Sequence, residues 1–207
     1  MKKRGFTLAE LIVTLGILGI ISAISIPVMQ RIMPDKDKGM VLKAYRIINE
    51  INQNILNDPS LYLPNSFING TTTPCNKILS CNSKPVDGHH ETGYAGNAKY
   101  PHLFSDNLNL TEAYSVQSSQ YKFVSGDGIK WSFVYGDNGY DITIDVNNPV
   151  RMACTYNKTT CKNPGQFKFM VNLDGNVSAV DNLTKAYLEN PDNLHDRQAD
   201  LTKAASY

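Results

Sequence analysis

The stretch Phe6–Val28, FTLAELIVTLGILGIISAISIPV, constrains this chain most, and Glu10 is its only ionisable side chain. Its 23 residues make a helix of about 35 Å at ~1.5 Å per residue, enough for the ~30 Å hydrocarbon core of a bilayer. Lys2, Lys3 and Arg4 stand directly before it. Cations at one end hold that end in the cytoplasm and send the rest of the chain across the membrane. A cleaved secretory signal fits poorly. Such a signal has an apolar core of about 7–15 residues followed by a small-x-small site, whereas Ser22-Ala23 lies inside this run. A carboxylate in an apolar helix is costly and is usually paired or functional. The plain alternative is an ordinary anchor that snorkels Glu10 to the interface.

Lys2-Lys3-Arg4-Gly5 followed by Phe6-Thr7-Leu8-Ala9-Glu10-Leu11 resembles the class III signal of type IV prepilins and type II secretion pseudopilins. The resemblance rests on a short basic leader, Gly, Phe and a Glu at the fifth residue after the junction, opening an apolar helix. It implies that a prepilin peptidase cuts between Gly5 and Phe6, that Phe6 is N-methylated, and that Glu10 meets the N-terminal amine of a neighbouring subunit during assembly. Pairing two charges that are each costly in lipid is physically sensible. Pro27 falls where many pilins carry a helix-kinking proline. The resemblance is close over residues 1 to about 55 and weak beyond.

The remainder is long enough for one head domain. A net charge of +1, from 20 basic and 19 acidic residues, does not ask for nucleic acid or an acidic substrate. Four cysteines, all in the exported part, suit disulfides in an oxidising compartment.

Residues 29–39 read as a bend or linker, because Pro34 and Gly39 weaken a helix around the charge run Asp35-Lys36-Asp37-Lys38. An amphipathic helix is expected over 40–57. Val41, Ala44, Ile48, Ile51 and Ile55 form its apolar stripe, widened by Met40, Tyr45 and Ile47, while Lys43, Arg46, Asn49, Glu50, Asn52 and Asn54 face away. Asp58-Pro59 ends it. Residues 59–120, rich in Asn, Ser, Thr, Gly and Pro, read as a connecting region, with a short helix or turn at Leu103-Phe104 and Leu108–Leu110.

From Tyr121 the period changes to two. Ile129, Trp131, Phe133 and Tyr135, then Tyr140, Ile142, Ile144 and Val146, then Phe167, Phe169, Val171 and Leu173 alternate with mostly polar residues. These are half-buried antiparallel strands. Asn138-Gly139 and Asp174-Gly175 mark hairpins, and Tyr121–Val124 reads as an edge strand. Asp181 caps a helix over Asn182–Glu189 that stops at Pro191, and an amphipathic tail runs from Leu194 to Ala205. The fold class is therefore α+β: a long N-terminal helix packed on an antiparallel sheet, as in pilin heads. Its parts are a leader 1–5, a membrane or filament-core helix 6–28, the linker 29–39 and a head 40–207, with the sheet at 121–180 and the helical tail at 181–207.

Four cysteines allow three pairings. Proximity favours Cys75–Cys81 and Cys154–Cys161, each stapling a local loop. His89-His90-Glu91 lacks zinc-ligand spacing and reads as solvated loop. Asp145, Asn147 and Asp174 are oxygen donors of the kind calcium takes, in a part of the head where some pseudopilins bind it; turn chemistry accounts for them first. No cofactor is expected otherwise. There is no nucleophile elbow, phosphate loop or zinc motif, so the chain reads as a non-enzyme: a minor pilin or pseudopilin. Its expected partners are the prepilin peptidase, other pilin or pseudopilin subunits and the inner-membrane assembly machinery. It would sit as a single-pass inner-membrane protein with a cytoplasmic N-terminus, and later in an extracellular or periplasmic filament. The competing reading is a membrane-anchored extracytoplasmic binding domain that never assembles.

Overall fold

A computed structural model of the chain describes residues 8–32, 35–58, 96–117, 119–136, 138–146 and 148–207. Helix α1 runs Leu8–Ile32 and α2 runs Lys36–Asn57. The side chains described in the expected span 6–28 are those of 8–22, and among the described residues no helix is long and apolar enough to cross a membrane.

The head helix starts earlier than position 40. Asp35 takes the N-cap position of α2, its carboxylate accepting from the Asp37 N–H at 3.1 Å. The charge run expected in a linker is thus the first turn of a helix, with Asp37 and Lys38 buried. Gly39 lies inside α2; tertiary contacts along the helix outweigh its cost of about 1 kcal/mol. Val41, Ala44, Ile48, Ile51 and Ile55 are buried, as their spacing predicts.

Asn52 departs from expectation. Placed on the solvent face by its polarity, it is fully buried, four residues after Ile48 on the inward side. Its amide donates to the Gly175 carbonyl at 3.0 Å and accepts from the Tyr100 hydroxyl at 2.6 Å, so both polar atoms of the buried amide have a partner.

A short 3-10 turn, Gly96–Ala98, leads into α3, Lys99–Asp106. The strands follow: β1 Leu110–Gln117, β2 Gln120–Ser125, β3 Lys130–Gly136, β4 Gly139–Asp145, β5 Met152–Thr155, β6 Pro164–Asn172 and β7 Val177–Ala179. They form one seven-stranded sheet in the order β1-β2-β3-β4-β6-β5, with β7 also on β6. All pairs are antiparallel except β5 with β6. The sheet begins inside the supposed connecting region, and β2 is an interior strand with β1 as its outer neighbour. β1 reads LTEAYSVQ and exposes Thr111, Glu112, Ala113, Ser115 and Val116. It shows no period of two because it lies at an edge and has register shifts, so neither face demands an apolar row.

Both predicted hairpins form: Gly136 pairs with Gly139, and Val171 with Val177. Gly175 has φ +88°, and a Cβ there would collide with the Leu56 side chain. Gly175→Ala is expected to destabilise the head by at least about 1 kcal/mol through left-handed strain and that clash, read as a lower urea midpoint with an unchanged slope.

The stripe of α2 packs on the inner face of the sheet, where Phe123, Trp131, Phe133, Tyr140, Ile142, Ile144, Phe167, Phe169 and Val171 point inward. Tyr100 and Phe104 of α3 fill one side of this layer. Leu183, Ala186 and Tyr187 of α4, Asn182–Glu189, join the same core. Asp181 caps α4 as expected, accepting from the Thr184 N–H at 2.9 Å, and it also ties the helix to β6 through the Lys168 N–H at 2.8 Å. The tail ends in α5, Arg197–Ser206.

Candidate functional site

Over residues 8–22, whose side chains are described, helix α1 presents apolar side chains on every side. Leu8, Ile12 and Leu15 are 77, 62 and 67% exposed, and Leu11, Val13, Ile17, Leu18, Ile20 and Ile21 are also open. A helix apolar all round belongs inside a larger apolar body, and an exposed apolar surface of this extent marks a membrane or protein contact. Glu10 stands exposed in the first turn of this helix, where its negative charge suits the helix dipole. Gly5 and Phe6 lie outside the described residues, as do Cys75, Cys81, Asn147 and His89-His90-Glu91.

A second constellation sits where α2 begins. Asp37, 1% exposed, accepts from Arg151 Nε at 2.5 Å, from Asn148 Nδ2 at 2.8 Å and from Arg197 Nη1 at 3.2 Å. Asp35 accepts from Arg197 Nη1 at 3.1 Å and from the Tyr187 hydroxyl at 3.0 Å. Lys38, fully buried, donates to Asp200 Oδ2 and to the Asn193 carbonyl, both at 2.7 Å. Three carboxylates thus meet three cations. Burial pushes the Asp200 carboxyl up from its usual range despite the Lys38 ammonium beside it, and burial likewise raises the Tyr187 hydroxyl. Such a cluster adds little net stability, because the cost of desolvating the charges offsets much of their attraction. Sequence reading missed it because the partners lie 111 to 162 positions apart and carry no local pattern.

Cys154 and Cys161 form a disulfide. Together with the Asn157–Cys161 bridge it closes the loop between β5 and β6, the connection that the parallel pair requires. Replacing both cysteines by Ser is expected to cost about 2 kcal/mol, the loop-closure value for so short a ring, measured by urea denaturation under non-reducing conditions. Asp145 and Asp174, two of the oxygen donors named for calcium, stand at different places along the sheet. Asp145 pairs in register with Gln166, whereas Gly139 at the other end of β4 pairs with Asn172, two residues before Asp174. The two carboxylates are therefore separated by the length of a strand, about 20 Å. Among the described residues no group of three or more His, Cys, Asp or Glu is placed to hold a metal.

Residues 1–26 match the family model of the prokaryotic N-terminal methylation motif. The chain carries a methylation motif of the class III type. This motif is typical of type IV pilins and pseudopilins, and it covers the leader, the Gly5-Phe6 junction, Glu10 and most of the apolar segment. It supports a pilin-like precursor and implies a structural subunit, processed by a prepilin peptidase and assembled with other pilin subunits. No curated protein and no solved structure matches the chain. The chain is α+β, with its N-terminal helices preceding a largely antiparallel sheet in sequence.

Proposed function

We propose that this chain is a minor pilin or pseudopilin, a subunit that joins a type IV pilus or a type II secretion pseudopilus after cleavage between Gly5 and Phe6 and methylation of Phe6. The observation that carries this reading is the surface of α1 over residues 8–22, apolar on all sides and open in the single chain, bearing Glu10 as its one carboxylate. Before assembly lipid covers that surface, with the N-terminus on the cytoplasmic side and the head outside. After assembly, the same helices of neighbouring subunits cover it. Glu10 then pairs with the amine of Phe6 on a neighbour, which offsets the cost of burying both charges. The head forms the outer surface of the filament.

The test is N-terminal mass spectrometry of the chain co-expressed with an active, compatible prepilin peptidase. A mature chain that starts at methylated Phe6 is the expected result. Retention of Met1–Gly5 would overturn the reading in favour of an anchored surface domain that does not assemble.

A further inference from the structure

The C-terminal tail is held to the rest of the head in an unusual way. Of the side chains of α5, only Asp200 and Ala204 are buried, and Leu201 is half-buried. One methyl group and part of a leucine remove little apolar surface from water. What fixes the tail is polar. The Asp35 N–H donates to the Leu194 carbonyl at 2.5 Å. Lys38 reaches both Asn193 and Asp200. Arg197 Nη1 lies within 3.2 Å of Asp35, Asp37 and the Tyr187 hydroxyl, which accepts from it at 2.7 Å. Every one of these contacts except the one with Tyr187 lands on the first turn of α2 or its cap. The outer pairs of Glu189 with Lys203 and Tyr207 are exposed and add little.

The Arg197 guanidinium is imperfectly satisfied where it sits. Its Nη2 is buried and has no hydrogen-bond partner among the described residues. Burial of Asp200 likewise works against its charge. A segment held by desolvated charges and little apolar area sits at the low end of a protein's range of local stabilities. The inner sheet face and α2, by contrast, share an apolar core to which α5 contributes Ala204 and, at its margin, Leu201.

We infer that residues 193–207 form a latch: a conformational device that closes over the root of α2 and opens locally without unfolding the sheet. When closed, it buries Asp37 and Lys38 and largely covers Asp35 at the point where the chain enters the head. When open, it releases Arg197 from both carboxylates and Asp200 from Lys38, and presents these groups at the start of α2. The latch rests on the geometry of the head alone and does not depend on the assembly reading.

Hydrogen–deuterium exchange with mass spectrometry, on the full chain in detergent micelles and over a series of low urea concentrations, tests it. Peptides covering 35–40 and 194–206 are expected to exchange through one shared opening, at least tenfold faster than peptides of β4 and β6. In Arg197→Gln, both sets should speed up by a further tenfold or more while β4 and β6 stay unchanged. If, in the unmodified chain, the two sets open independently of each other or exchange no faster than β4 and β6, there is no latch; this measurement decides the matter even if the variant does not fold. An Arg197→Gln chain that folds and leaves both sets unchanged, or one that loosens the whole sheet equally, also overturns it.

Discussion

Phe104→Ala is expected to lower the unfolding free energy of the head by about 3–5 kcal/mol, the range for a fully buried aromatic reduced to a methyl group. The ring has no exposed surface. Its centroid lies 5.0 Å from Phe133, 5.2 Å from Trp131, 5.8 Å from Tyr100 and 6.2 Å from Phe123, so it joins α3 to β2 and β3. Four rings around one position cannot all collapse into the vacated space, because each is set by its own strand or helix; the cavity persists and adds to the lost transfer energy. Phe104→Leu fills more of the space and should cost markedly less. Trp131 is the single tryptophan of the chain, so its fluorescence during urea denaturation reports this change directly. A loss below about 1 kcal/mol would mean that α3 is not part of the cooperative core.

Glu10→Ala is expected to leave export and the head intact and to reduce incorporation into filaments at least ~100-fold. In the proposed assembly, removing the carboxylate leaves the amine of Phe6 buried without its partner, and stripping one member from a buried pair costs about 3–5 kcal/mol, with each 1.4 kcal/mol a factor of ten. The head should not respond, since its core is built from residues 41–204 and does not include Glu10. Glu10→Asp keeps the charge on a shorter arm and should retain part of the activity. The measurement compares variant and unmodified subunit in sheared filaments against the total in the membrane fraction. Normal incorporation of Glu10→Ala would falsify the pairing role while leaving the peptidase-processing test untouched.

Residues whose partners are local could be read from the chain alone. The apolar stripe of α2, the alternation along β3, β4 and β6, the turns at Gly139 and Gly175 and the Asp181 cap all depend on neighbours a few positions away, and periodicity reports these directly. The methylation motif is legible for the same reason: leader, junction and Glu10 lie within ten residues.

What only tertiary structure decided concerns residues whose environment comes from distant parts of the chain. β1 became a strand because the β2 edge offered unpaired backbone groups, not because its own sequence alternates. Asn52 turned inward because Gly175 and Tyr100 supply the hydrogen bonds that its amide needs. Asp145 and Asp174, both plausible oxygen donors, were separated by the antiparallel register of β4 on β6. Asp35, Asp37 and Lys38, read as part of a bend or linker, were drawn into the head by Arg151, Arg197 and Asp200. A buried charge is tolerable only when its counterion arrives with it, and those counterions are more than a hundred residues away in sequence.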